Sequence, residues 1–194
     1  MMVADASVWI NLAATGGAHR ILEAIGRPLV ITDLALGELE RGRPKGRRAA
    51  DEVAAMLHLG LAEVAPLMAE DEALFLSLVS GSASETLDDG EAATLACAER
   101  LGAWAVIDER KATSLAARRL PHLEIRSTCD LLLSPSVRGA LGEPGLAEAL
   151  FAALMEARMR VPDAYAATIV GLLGSRAASC LSIPARFRAA CSQG

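Results

Sequence analysis

The chain is 194 residues long, carries a formal net charge of −5, and is 53% hydrophobic but only 3% aromatic. That length favours one domain with a helical extension, and the composition is that of a globular chain able to bury one core. The charge excludes a strongly basic coat for passive binding to a phosphate backbone, and no apolar run reaches the roughly 18 residues of a membrane span.

The elements follow in chain order. Val3 to Ala6 reads as a short buried strand, with a helix starting near Ser7. Leu29-Val30-Ile31, introduced by Pro28, is a second strand, and Thr32 or Asp33 is placed to cap a helix running through Glu38 to about Arg41. Gly42, Pro44 and Gly46 break that helix. Helical spacing resumes from Ala49 to Leu59, and Leu61 to Ala65 is a strand ended by Pro66. Glu70 to Val79 is helical, Ser80 to Ser84 is a polar loop, and a strong helix covers Asp89 to Leu101 before Gly102. Trp104 to Ile107 is a strand, Glu109 to Leu120 a helix stopped by Pro121, and Leu123 to Ile125 a last short strand. Alternating strands and helices predict a parallel sheet covered on both faces.

Beyond Cys129 no strand is expected. Gly145 to Arg158 and Pro162 to Leu173 read as two amphipathic helices, with Pro162 suited to a first turn. Residues 175–194 form a small-residue tail expected to be loosely ordered. The N-terminus lacks a basic region followed by a long apolar stretch, so a secretory signal is not expected and a cytoplasmic location is the default. Cys97, Cys129, Cys180 and Cys191 form no Cys-x-x-Cys pair, and His19, His58 and His122 are scattered. That disfavours a zinc site and a histidine-based triad.

The chemistry lies in four acidic positions. Asp5 follows the apolar run Met2-Val3-Ala4 and Asp108 follows Trp104-Ala105-Val106-Ile107, the places just past the carboxyl ends of buried strands where open α/β sheets build their sites. Asp5 also suits a helix cap, and Ser7 is placed to bond it as a supporting group. Glu38 and Glu40 point about 200° apart on a helix, so only one faces a given site. Glu38 shares its face with Leu34 and Arg41 and needs a partner or a metal there, while Glu40 suits solvent. Glu91 closes the run Asp88-Asp89-Gly90-Glu91, which has the form of a capping box in which Asp88 caps while Glu91 remains able to reach the site. Carboxylates gathered together repel one another unless a cation binds among them. Arg41-Gly42-Arg43-Pro44-Lys45-Gly46-Arg47-Arg48 holds five basic residues in eight, and Arg110 and Lys111 follow Asp108. Basic groups beside an acidic site suit phosphodiester chemistry, with Arg43, Lys45, Arg110 and Lys111 as candidates to hold a substrate backbone, and they equally suit solvated surface.

Four segments resemble PIN-domain proteins, in particular the predicted nucleic-acid-binding PIN toxins of bacterial and archaeal toxin–antitoxin pairs. They are residues 3–10 around Asp5, Glu38-Leu39-Glu40-Arg41-Gly42, residues 87–96 around Glu91, and residues 105–112 around Asp108. The third and fourth, with 17 residues from Glu91 to Asp108, resemble an uncharacterised subfamily with Asp-x-Gly-Glu and Asp-Glu-Arg-Lys runs. Residues 2–130 carry the likeness, and Arg160-Val161-Pro162-Asp163-Ala164-Tyr165 resembles that subfamily's C-terminal extension. The resemblance implies a three-layer α/β/α PIN-like fold with a five-stranded parallel sheet over 1–130, a helical extension over 131–175 and a tail over 176–194. It also implies a ribonuclease using Mg²⁺ or Mn²⁺, a small antitoxin partner and a homodimer. The acidic quartet falls on Asp5, Glu38, Glu91 and Asp108, with Ser7 and Asp88 as accessories. Glu91 stands where better-known toxins have Asp, and Val106-Ile107 where many have Thr or Ser. The competing readings are a DNA-directed nuclease of the flap-endonuclease type and a catalytically silent interaction module whose carboxylates only cap helices.

Overall fold

The structure is a computed structural model that describes residues 1–46 and 48–188; Arg47 and Cys191 lie outside the described residues. Its chain falls into two compact units, residues 1–10 with 26–127, and residues 11–25 with 128–188 of the described tail.

The first unit is an α/β/α arrangement around one sheet. Strands β1 (Met2–Ala4), β2 (Leu29–Thr32), β3 (Ala62–Ala65), β4 (Trp104–Val106) and β5 (Ile125–Arg126) are all parallel, in the order β3-β2-β1-β4-β5. Each strand is two to four residues long. Strands β1 and β2 are buried throughout, as the unbroken apolar runs require for a sheet covered on both faces. The strand order reverses direction at β1, whose two neighbours are β2 and β4. In an open parallel sheet this switch point leaves a crevice beyond the strands' carboxyl ends.

The helices of this unit are the start of α1 (Ala6–Ala14), then α3 (Asp33–Gly42), α4 (Ala49–His58), α5 (Glu72–Val79), α6 (Asp89–Leu101) and α7 (Arg110–Arg119). Thr32 caps α3 by accepting from the Ala35 amide, a bond that satisfies one of the orphan donors of a first turn. Gly42 does not break α3; the chain tightens into a 3₁₀ turn over Arg43–Lys45 and stops at Gly46, whose φ of 76° is left-handed. Asp88 caps α6 and Gly102, at φ 55°, ends it, so its bounds match those expected. Residues Gly90 to Ala98 are all buried. Their small side chains let α6 lie close on β1, β2 and β4 and against α3 and α5. Cys97 belongs to this core, beside Val3, Val30, Leu95, Ala105, Ile107 and Leu115.

The second unit is helical. It takes in the end of α1, then α2 (Ala18–Ile25), α8 (Thr128–Leu132), α9 (Pro135–Glu156), α10 (Asp163–Leu173) and a short α11 (Ala185–Arg188). Helix α9 begins ten residues before the expected Gly145 and is interrupted at Gly142, with φ 66° and ψ 168°. Pro144 follows in the first turn after the break, where its missing N–H is not needed. Tyr165 donates its hydroxyl to Asp130, joining α10 to α8. Of the tail expected to be loosely ordered, the described part up to Arg188 forms a 3₁₀ stretch over Gly174–Ser179 and α11, with Ala177, Cys180 and Ile183 buried, and residues 189–194 lie outside the described residues. Among the described residues, no helix is long and apolar enough to cross a membrane.

Candidate functional site

Asp5 and Asp108 leave the carboxyl ends of neighbouring strands. Ala4 is in register with Val106, and the Asp5 amide donates to the Val106 carbonyl at 3.0 Å. Both carboxylates are about 4% exposed. They therefore sit at the switch point of the sheet, where β1 turns into α1 and β4 leads into α7. Asp5 Oδ2 accepts from the Ser7 amide at 3.2 Å and from Ser7 Oγ at 2.8 Å. The bond from Ser7 to Asp5 that their spacing allows is thus formed. The helix after Asp108 is capped by the next residue: Glu109 Oε2 accepts from the Ala112 amide at 2.8 Å. Glu109, not Asp108, stands at the cap position of α7.

Glu38 and Glu91 come together at the start of α6. The capping box read from the sequence is formed: Asp88 Oδ1 accepts from the Glu91 amide at 2.8 Å, and Glu91 Oε2 accepts from the Asp88 amide at 3.4 Å. Glu38 reaches across from α3, and its Oε1 accepts from the Gly90 amide at 3.1 Å. Three carboxylates are drawn to the positive end of one helix, which accepts negative charge readily. Glu40 is exposed, as expected of the residue on the other face of α3.

These groups feel one another. Burial pushes the Asp5 carboxyl above its ordinary range, with Ser7 pulling it back and the charge of Asp88 adding to the rise. Glu38 is raised by burial and then by the charges of Asp88 and Asp5, against the Gly90 amide and Arg41. Glu91 is pushed up to about 8 by burial, then by Asp88 and Asp5, with Glu109 a smaller contributor. Asp88 is the shared neighbour. Gly90, Arg41 and Glu109 are the participants that motif reading did not assign. Arg41 was visible three residues after Glu38 on the same face, and Glu109 directly after Asp108. Gly90 had no local signal for its contact with a side chain 52 residues away.

A pH dependence follows. The unfolded chain releases the Glu91 proton near the ordinary 4.5, while the folded protein holds it to about 8. Folding stability is thus fullest below the lower value and is lost as pH rises through the higher one. Glu91→Gln keeps an acceptor for the Asp88 amide and removes the charge. Solvent reaches part of the group and screens the effect, so its thermal midpoint should exceed that of the parent by roughly 4 °C or more at about pH 8.5 and match it at about pH 4.5. Thermal unfolding followed by circular dichroism checks this, and an equal gap at both pH values contradicts it.

The donor set suits a hard divalent cation: it is anionic, all oxygen, and mutually repelling. A recess of about 90 Å³ lined by Ala6, Ile10, Glu38, Leu39, Gly42 and Ala49 opens beside Glu38, roomy enough for a few waters. Among the described residues, no three His, Cys, Asp or Glu side chains stand in an arrangement that holds an ion as they are. Asp5 is turned to Ser7, Glu38 to Gly90 and Glu91 to Asp88.

The basic candidates divide. Arg43 is paired with Asp51 at 3.0 Å, and Lys111 donates to the Ala83 carbonyl at 2.7 Å, tying α7 to the loop before α6. Lys45 and Arg110 are exposed, at the 3₁₀ turn after α3 and at the start of α7.

Neither a curated protein nor a solved structure matches this sequence. A family model described as a PIN domain, the DUF3368 family, matches residues 1–175. PIN domains are typically nucleases, and those nucleases generally use divalent metals. With that match spanning most of the chain, and with an all-parallel five-stranded sheet beneath an acidic cluster, the chain belongs to the PIN-domain family.

Proposed function

We propose that the chain is a divalent-metal-dependent endoribonuclease, the toxin of a toxin–antitoxin pair, whose reaction uses Asp5, Glu38, Glu91 and Asp108. The observation that carries this is electrostatic. Asp5, Glu38 and Glu91, from three separate elements, are raised first by burial and then by the charge of Asp88, with Asp5 adding to the rise of Glu38 and Glu91. A fold gains nothing in stability by collecting repelling acids; a cation bound among them supplies the missing positive charge.

Asp5 and Asp108, rooted in adjacent strands, are assigned as the residues that hold Mg²⁺ or Mn²⁺. When bound, the ion acidifies water and neutralises charge on the phosphate. Glu38 and Glu91 orient the attacking water or hold a second ion, and Ser7 fixes the Asp5 carboxylate. Asp88 keeps the local field negative and seats the first turn of α6. Arg110 and Lys45, both exposed, are assigned to meet the phosphates on either side of the scissile one, while Arg43 must first leave Asp51 to do so. The antitoxin partner and the homodimer belong to this proposal as companions of the toxin reading, as does a cytoplasmic location.

The test is cleavage of total RNA by wild type and Asp108→Asn, with Mn²⁺ and with chelator. Cleavage that needs both Mn²⁺ and Asp108 is expected. Cleavage of DNA alone in the same assay moves the protein to the DNA-directed reading. A second reading, a silent interaction module, draws on the capping bonds that Asp5, Asp88 and Glu91 accept from backbone amides and on the absence of a ready three-ligand arrangement among the described residues. It predicts no RNA cleavage under any condition.

A further inference from the structure

We propose that Gly90 is a positioning residue for Glu38: its missing side chain leaves the space in which the Glu38 carboxylate docks on the first turn of α6. A Cβ built on Gly90 would lie 2.5 Å from Glu38 Oε1, 2.8 Å from Cδ and 2.9 Å from Oε2. Non-bonded atoms do not approach so closely. The Glu38 carboxylate therefore fills the volume any other residue at position 90 would take.

Backbone conformation gives no competing reason for glycine here. Gly90 is the second residue of α6 and is not among the residues with positive φ. A glycine inside a helix is otherwise a poor choice, since alanine is the better helix former. What remains is close approach, the other use of a residue without Cβ. The approach places Glu38 Oε1 3.1 Å from the Gly90 amide, one of the donors a helix start leaves without an intrahelical partner. Glu38 extends from α3 and Asp88 and Glu91 belong to α6, so this contact brings the carboxylate of one helix to the acids of the other. The group that must yield to an added methyl is the far end of a flexible side chain, not backbone. Gly90→Ala thus displaces Glu38 and leaves the fold in place.

The role rests on reading the acidic cluster as the reactive site, and two measurements separate the failure of one from the failure of the other. In the metal-free full chain, Glu38→Gln should move the amide resonance of residue 90 in the wild-type background and leave it unmoved in the Gly90→Ala background. The thermal midpoint of Gly90→Ala should equal or exceed that of wild type. An amide that still responds to Glu38→Gln after Gly90→Ala overturns the proposal, whatever the metal does. The second measurement is Mn²⁺ affinity. Gly90→Ala should weaken it about tenfold. Glu38→Asp, one methylene shorter, withdraws the carboxylate from the new methyl, so Gly90→Ala with Glu38→Asp should bind no more weakly than either single variant. Losses that multiply, or wild-type affinity in Gly90→Ala, overturn the positioning role. Absence of Mn²⁺ binding in the wild type overturns the metal reading alone, and the amide resonance still decides the place of Gly90.

Discussion

Asp5→Asn is expected to lower Mn²⁺-dependent RNA cleavage by roughly 1,000-fold while the protein stays folded. The reduction is large because the carboxylate at the end of β1 is assigned to the ion itself, and metal stabilisation of a transition state amounts to several kcal/mol, with about 1.4 kcal/mol for each factor of ten. The fold survives because asparagine retains a side-chain oxygen to accept from the Ser7 amide and hydroxyl, as Asp5 does. Without metal the variant should be as stable as the parent or more so, since one charge that raises Glu38 and Glu91 is gone. Cleavage rates beside thermal midpoints measure both effects. Full activity in Asp5→Asn removes Asp5 from the mechanism, and a large fall in the midpoint shows that Asp5 serves the fold instead.

The second large effect lies away from the site. Asp71 is 0% exposed at its side chain and takes Arg100 Nε on both oxygens, at 2.8 and 2.9 Å, with Arg100 25% exposed. Asp71 Oδ2 also accepts from the Met68 amide at 2.8 Å. The pair therefore ties the last turn of α6 to the segment leading into α5. Breaking a buried pair from one side leaves a charge without its counter-charge, which costs about 3 kcal/mol or more. Asp71→Asn should thus lower the midpoint by about 6–12 °C for a chain of this size. Arg100→Gln in the Asp71→Asn background should cost much less than in wild type, because the stranded charge is removed. A midpoint lowered by less than about 2 °C in Asp71→Asn shows that solvent already screens the pair.

Much of the sheet and half of the site were legible in the sequence because local rules govern them. Apolar runs of three or four residues with an acid at the end located β1 and β4 and, with them, Asp5 and Asp108. Asp88 and Glu91 announced the start of α6 through the spacing of a capping box, and Gly102 its end. The strand placed at Leu123–Ile125 lies at Ile125–Arg126, a shift within the ordinary uncertainty of element ends.

The unread parts have identifiable causes. Helix α2 is absent from the expected elements although Ala18, Ile21 and Leu22 are buried at helical spacing; the run is only eight residues and stands behind Gly16-Gly17, which reads as loop. The first half of α9 was hidden by Gly142, Pro144 and Gly145, which look like a boundary, yet the chain is helical on both sides of the break. The tail up to Arg188 reads as polar and small, but Cys180 and Ile183 supply enough apolar surface to bury. No local rule announces the pairing of Gly90 with Glu38, the engagement of Arg43 by Asp51, or that of Lys111 by the Ala83 carbonyl, because partners across a fold leave no periodicity in the chain.

The central claim is that acids distant in sequence form one anionic pocket completed by a divalent ion. Calorimetric titration of the metal-free protein with Mn²⁺, wild type beside Asp108→Asn, tests it most directly. Saturable binding by the wild type is expected, weakened about tenfold or more when an amide replaces the carboxylate at Asp108. Equal affinity in the two proteins, or no saturable binding in the wild type, contradicts it.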